Sequence, residues 1–248
     1  MIDPTISVIV PAFNEADYLP RYLPTVLASL RLWEEATGQV GEVIVVDNAS
    51  TDTTPQVAEQ LGARVVHEPQ RGIGRARNTG ARAAHGEYLV FVDADVEFPL
   101  SGVRDIADTL RPGRCAGPCV GGAIPPEYEP SRAGTRLLVA AWALYRRHFG
   151  GAQGVCQFAT REAFDTVRGY REDMFMSEDV EFFARLTRLG AARQHPVVHL
   201  THLRVRPSNR RFERWPSWRI WWWCNPITAN LARTSPRFWR HWYDSTIR

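Results

Sequence analysis

The sequence predicts an α/β fold built on a mostly parallel sheet, and three observations carry that expectation. Short apolar, β-branched segments alternate with stretches whose apolar residues recur every three or four positions, the signatures of strand and helix. The connections are short, of ordinary βα length, which sets successive strands side by side with helices wrapped around them. Three strands also stop at polar residues: Asn14 and Glu15 after the first, Asp47 after the second, Asp93 and Asp95 after the fourth. Parallel strands bring those ends to one edge, the edge at which open α/β sheets bind ligands.

In order, residues 6–10 form the first strand, closed by the run from Pro11 to Glu15. Leu19, Tyr22, Leu23, Val26, Leu27 and Leu30 then mark a helix that Gly38 ends. Residues 42–47 are a second strand, and residues 48–52 offer capping side chains to a helix stopped by Gly62. A third strand covers 63–67, and Gly72 and Gly74 open an alanine-rich helix that Gly86 terminates. Residues 88–92 are aromatic and β-branched on both faces, as a central, doubly covered strand requires.

After Pro99 the rhythm changes. A helix over 101–110 leads into a Pro/Gly-rich stretch, 112–130, with a strand at 119–124. A helix over 132–148 follows, its apolar run 137–144 expected to be buried, and then a loop over 149–154. The last elements are a strand at 155–160, a short helix at 161–167, a helix at 180–189 introduced by Ser177, Glu178 and Asp179, and a strand at 196–202.

Composition narrows the class. Hydrophobic content of 44% and charged content of 23% are those of a soluble globular protein. No apolar run approaches the roughly 20 residues of a membrane span, and no basic-then-apolar leader precedes the first strand. Four cysteines fit neither a zinc pattern nor a disulfide framework, so a reduced, cytoplasmic setting is expected. From Arg204 onward ten arginines face only Glu213 and Asp244, a balance of +8 that leaves 3 − 8 = −5 for residues 1–203.

The strand-end acids suggest chemistry. Asp93 and Asp95, one residue apart, repel unless a cation or ligand donors share their site. A hard divalent ion held by carboxylates and substrate phosphates meets that need; a solvated turn is the plainer alternative. Asp47 can accept the imide N–H of a pyrimidine or the N–H groups of guanine. Arg71 and Arg75 lie at the helix start around Gly72, a suitable diphosphate environment. Glu178 and Asp179 open a helix, where the positive end of the dipole tolerates acids.

In combination and in order, these motifs resemble the family 2 glycosyltransferases of the GT-A fold, over about residues 6–190. The resemblance implies a GT-A, Rossmann-like, mostly parallel central sheet flanked by helices, with a C-terminal Arg/Trp-rich helical extension. It divides residues 1–203 into a nucleotide-binding half (1–98) and an acceptor-facing half (99–203), followed by the extension at 204–248. It implies a nucleotide site at Pro11, Ala12, Glu15, Asp47, Arg71, Arg75 and Asp93. It places Mg²⁺ or Mn²⁺ on Asp95, with a last-strand histidine as a further ligand. Of His199 and His202, which face opposite ways if the strand is regular, His202 is the choice. Asp179 becomes the general base of an inverting transfer and Glu178 its acceptor-positioning neighbour.

The extension holds seven of the nine tryptophans, between Trp215 and Trp242. The run from Arg211 to Trp215 resembles the Gln-x-x-Arg-Trp motif of processive synthases with Arg in the Gln position, which puts Arg214 and Trp215 beside the acceptor or the diphosphate. Two readings of residues 215–231 stay open, an interfacial segment on an anionic membrane and a helix packed on the domain. The expected partners are a nucleotide-sugar donor, with UDP first and GDP or dTDP behind it, and a hydroxyl acceptor on a glycan, lipid or small molecule. Nucleic acid is not expected. A non-catalytic nucleotide-sugar or membrane-surface module, and a sugar-nucleotide pyrophosphorylase, are the competing functions.

Overall fold

The computed structural model describes residues 4–112, 119–129, 132–149 and 154–216, with 218, 222, 233–235, 237 and 239. Most of the segment 215–231, most of the loop at 149–154, Cys115 and Cys224 lie outside these residues.

The first half alternates as expected: β1 (Ile6–Ala12), α1 (Leu19–Thr37), β2 (Gly41–Asp47), α2 (Thr54–Gln60), β3 (Arg64–His67), α3 (Ile73–Ala83) and β4 (Tyr88–Val92). Then come β5 (Val96–Glu97), α4 (Gly102–Leu110), β6 (Gly121–Ala123), α5 (Ala133–Phe149), β7 (Cys156–Thr160) and α6 (Arg161–Thr166). The chain continues through α7 (Glu178–Arg193), β8 (Val197–His199), β9 (Arg206–Pro207) and α8 (Arg210–Arg214). The main sheet runs β3-β2-β1-β4-β7-β6-β8. Its β1–β2, β2–β3, β1–β4 and β6–β8 pairs are parallel, while β7 runs antiparallel to both β4 and β6.

The pleat sorts the strands' side chains into two cores. Val8 and Val10 join Val90 and Val92 beneath α1, α2 and α4, through Leu23, Ala58 and Ile106. Ile9, Leu89 and Phe91 face the other way, onto Ala76 and Ala81 of α3, Phe164 of α6, and Phe182 and Leu186 of α7. Alternate residues of a strand point to opposite faces, so β4, buried at every position, supplies both cores. Gly80 lets α3 lie close on the sheet, because a Cβ there would run into Ile9 and Val46.

Register fixes the edge. Ala12 pairs with Asp47 and Asp47 with His67, so the ends of β1, β2 and β3 lie side by side. Across β4, Val92 pairs with Cys156, and the Asp93 amide donates to the Val155 carbonyl at 3.2 Å. The antiparallel β7 therefore starts where β4 stops, which brings Gly154 to the same edge.

Two expectations change. The apolar run of α5 is not buried throughout: Leu138 is 2% exposed, but Leu137 and Leu144 are 65% and 60% exposed. A helix buries only the stripe facing its neighbours, so a continuous apolar run does not imply burial on all sides. The C-terminal segment also begins inside the globule, with β9 pairing antiparallel to β5 and Val205 fully buried.

Candidate active site

The loops after β1 and β2 are stitched together where the nucleotide base is expected. Asn14, with φ 52°, donates its amide to Ser50 Oγ at 3.1 Å and accepts from the Thr51 amide at 2.8 Å. The Glu15 amide donates to Thr54 Oγ1 at 2.8 Å. The polar run 48–52 thus locks the loops together and also serves α2: Asp52 Oδ1 accepts from the Thr54 amide at 2.9 Å, although the N-cap Thr53 makes no side-chain cap. Asn48 also reaches sideways: its Nδ2 donates to the Gln70 carbonyl at 2.7 Å, and its Oδ1 accepts from the Gly72 amide at 2.8 Å. That side chain fixes where α3 starts relative to β2.

Asp47 is 4% exposed, with Oδ1 accepting from the Ser50 amide at 3.1 Å and Oδ2 lying 2.9 Å from His67 Nδ1. Two carboxylate oxygens offer about four acceptor positions, so it keeps capacity for a base. Ala12 is buried beside it and Pro11 half-buried. The guanidinium of Arg71 lies 3.1 Å from the centre of the Phe13 ring, at the mouth of this region. Arg75, expected at the diphosphate, has an acidic partner here. It pairs with Glu172 at 2.7 Å, because its position on α3 points toward the segment after α6.

The centre of the site is a residue to which sequence reasoning assigned no role, Arg77. It is 1% exposed. Its Nη1 donates to Glu178 Oε1 at 2.9 Å, and its Nη2 donates to Asp93 Oδ1 at 2.9 Å and to the Gly154 carbonyl at 3.0 Å. The guanidinium also lies 5.1 Å from the Tyr170 ring centre. Its Nε has no partner. One planar fork therefore ties β4, the start of β7 and the start of α7 together. A signal was available: Gly74, Arg77 and Ala81, all buried, share one face of α3 at spacings of three and four.

Asp179 lies against this fork. Its Oδ2 accepts from the Gly154 amide at 2.5 Å, and its Oδ1 accepts from its neighbour Val180's amide at 2.8 Å. Gly154 is required here, since a Cβ would collide with Asp179 and come within 3.0 Å of Arg77 Nη2. Glu178, expected to position the acceptor, is 6% exposed and turned inward onto Arg77. Burial, reinforced by Asp179, raises Glu178 to about 7 despite Arg77. Burial likewise raises Asp93 to about 6, with Arg77 opposing it and Asp95 adding to it.

β4 ends at Val92, so Asp93 lies just past the strand and Asp95 in the turn that follows. Each is held by a different arginine. Arg210, 7% exposed, binds both oxygens of Glu15, at 2.9 and 2.5 Å, and lies 3.2 Å from Asp95 Oδ2. Its guanidinium sits 4.1 Å from the Tyr18 ring centre. The Ser208 amide donates to the Asp95 carbonyl at 2.8 Å, so the segment after β9 is anchored on this acid twice. Nothing in the sequence separates Arg210 from the other arginines of its segment.

His202, expected as a ligand beside Asp95, faces Asp105. Its Nε2 lies 3.2 Å from Asp105 of α4 and its side chain is 63% exposed. His199 packs 5.2 Å from the Phe183 ring on β8, three strands from β4, or about 14 Å at the usual strand spacing. Trp215, expected beside the acceptor, is 1% exposed and its carbonyl accepts from Arg132 Nη1 at 2.7 Å; Arg214 is exposed. Among the described residues, no group of three or more His, Cys, Asp or Glu could hold a metal ion. Asp95 still suits a divalent cation of the kind that binds one or two carboxylates and completes its shell with substrate phosphates.

The sequence model of glycosyl transferase family 2 matches residues 7–177. Among curated relatives, the putative glycosyltransferase EpsH of Bacillus subtilis is 28% identical over 240 residues, covering 86% of this chain and 66% of that protein. The low-salt glycan biosynthesis hexosyltransferase Agl6 of Haloferax volcanii is 29% identical over 175 residues, 67% of this chain and 41% of its own length. The chain thus spans less than two thirds of the length of either. Among solved structures, the mannosyltransferase PcManGT from Pyrobaculum calidifontis, in complex with GDP-Man and Mn²⁺, superposes with a TM-score of 0.64 at 23% identity, over 89% of this chain and 61% of that one. Glucosyl-3-phosphoglycerate synthase from Mycobacterium tuberculosis, with Mn²⁺, UDP and phosphoglyceric acid, gives 0.56 at 24%, over 85% and 72%. These likenesses establish the GT-A fold.

Proposed function

Because the chain belongs to glycosyl transferase family 2, we propose that it moves a sugar from a nucleoside-diphosphate sugar to a hydroxyl acceptor, with inversion at the anomeric carbon. The observation that carries this reading is the Arg77 fork, which joins Asp93 on the donor side to Glu178 and the Gly154–Asp179 pair on the acceptor side. Leaving-group and proton-accepting machinery are thereby held in one rigid unit, as displacement at a fixed centre requires.

The base lies over Pro11 and Ala12, against Asp47, with UDP the first choice and GDP or dTDP the alternatives. Two structural neighbours with the same fold carry GDP-Man and UDP respectively, which keeps both base classes in view. Asp93 faces the ribose, and Arg71 provides positive charge toward the diphosphate. Around the reaction centre five carboxylates (Glu15, Asp93, Asp95, Glu178 and Asp179) surround two buried guanidiniums, Arg77 and Arg210. A diphosphate entering so acidic a site calls for added positive charge. Mg²⁺ or Mn²⁺ on Asp95, when bound, supplies it and stabilises the charge that builds on the departing nucleoside diphosphate.

Asp179 takes the proton of the acceptor hydroxyl as that oxygen attacks the anomeric carbon. The Gly154 and Val180 amides fix its orientation. Glu178, facing Arg77, holds the fork in place and leaves the acceptor side to Asp179.

The test is Asp179→Asn, assayed for donor binding by thermal shift with UDP- and GDP-sugars, with and without Mn²⁺, and separately for transfer. Donor binding is expected to persist while transfer is lost. Near-normal transfer by the variant sinks the assignment. Absence of donor hydrolysis and transfer by the parent chain, with donor still bound, favours a non-catalytic binding module.

A further inference from the structure

We propose that the exposed face of α5, together with Trp218 and Trp222, docks on an anionic lipid surface and presents the site to a membrane-anchored hydroxyl. The acceptor class rests on the transferase reading above; the docking surface does not.

Among its described side chains, α5 carries an exposed apolar stripe. Ala133, Leu137, Ala140, Ala141 and Leu144 are all exposed, and at 3.6 residues per turn they fall within a stripe about 100° wide. Leu137 and Leu144 are 65% and 60% exposed, while Thr135 and Leu138, toward the domain, are 0% and 2% exposed. Trp218 and Trp222, four residues apart, are 71% and 59% exposed. They start three residues beyond Trp215, whose carbonyl is bound by Arg132 at the start of α5. Large exposed apolar side chains on one helix stripe mark an interaction surface, and the two tryptophans add to the exposed apolar area.

Charge selects the occupant. Arg132 and Arg136, both exposed, border one side of the stripe. Residues 131–149 contain four arginines and no acid, and the balance from Arg204 onward is +8. A two-fold dimer through this face would set the same patch against itself, bringing arginine toward arginine with no carboxylate on α5 to answer. An anionic bilayer answers both features: leucine and tryptophan enter the headgroup boundary, and arginine stems lie along it with their charges at the phosphates.

The placement bears on the reaction. α5 ends at Phe149, five residues before Gly154, whose amide orients Asp179. A bilayer under α5 therefore lies near the acceptor half, where a hydroxyl on a lipid-linked acceptor can meet the base.

The experiment is vesicle co-sedimentation of the full chain with phosphatidylcholine alone and with phosphatidylcholine/phosphatidylglycerol at about 7:3, at about 0.1 M and about 0.5 M salt. The chain is expected to bind the anionic vesicles, more weakly at high salt, and to bind the neutral ones poorly. The double substitution L137E/L144E should cut partition by at least about tenfold, and R136E should weaken it. All three positions are exposed, so the melting temperature and the nucleotide-sugar thermal shift should stay unchanged. No binding of the parent chain to anionic vesicles overturns the proposal, as does equal binding to both compositions or undiminished binding by L137E/L144E. A dimer in sedimentation velocity that L137E/L144E dissociates overturns it in favour of a second copy. Failure to bind or transfer any donor would count against the transferase reading and leave the vesicle result standing.

Discussion

Arg77 offers the sharpest test of how the site is held. Its three hydrogen bonds, to Glu178, Asp93 and the Gly154 carbonyl, lie at 2.9, 2.9 and 3.0 Å and come from one planar fork. In Arg77→Lys the charge survives but the fork does not, because an ammonium is a single point that cannot span both carboxylates in the same geometry. Losing one charge-assisted bond costs about 1.5–3 kcal/mol. In Arg77→Met, Asp93 and Glu178 keep their burial without a cation, and breaking such a buried pair costs about 3–5 kcal/mol. Domains of ordinary stability have about 5–15 kcal/mol to lose, so the lysine variant is the informative one. Urea unfolding should show its midpoint lowered at an unchanged slope. The transfer rate at saturating donor should fall by about 10²-fold, the usual effect of a misplacement of about 1 Å. If Arg77→Lys stays within about 0.5 kcal/mol of the parent, the range of an ordinary surface substitution, and keeps its transfer rate, the fork does not hold the site.

Further outcomes follow from the same geometry. Asp93 near 6 and Glu178 near 7 both stand above their ordinary 3.8 and 4.5. The folded chain therefore binds protons that the unfolded chain has released, and stability should fall as pH rises from about 4 to about 7. Glu178→Gln should flatten that slope in urea midpoints taken at intervals across the window; an unchanged slope removes Glu178 as its source. Asp47→Asn should weaken nucleotide binding by about ten- to a hundredfold, the worth of a hydrogen bond to a charged group, measured by calorimetry with UDP and GDP; equal affinity in parent and variant refutes the base contact. Arg210→Met should destabilise by about 3–5 kcal/mol, and Glu15→Gln/Arg210→Met should recover at least about 1 kcal/mol of it as coupling. Strict additivity in that double-mutant cycle would mean the pair contributes nothing.

By itself the sequence determined the α/β class, the strand ends that carry Glu15, Asp47, Asp93 and Asp95, and the helix start that carries Asp179. Those features are local: periodicity sets the element, and a polar residue at the close of an apolar strand declares the edge. The tertiary structure alone decided which charges meet. Arg77 and Glu178 are 101 positions apart, and Arg210 and Glu15 are 195 apart; in a chain whose basic residues are all arginine, composition marks neither pair. The same holds for His202 and Trp215, since residue type and order do not say whether a ring faces Asp105, the core or a ligand. Side-chain chemistry is written along the chain, but electrostatic partnership depends on distance and burial, and the fold sets both. The mostly parallel sheet could be predicted from the order of its elements; the arginine forks that make its edge a single site depend on how α3, β7, α7 and the segment after β9 pack against it.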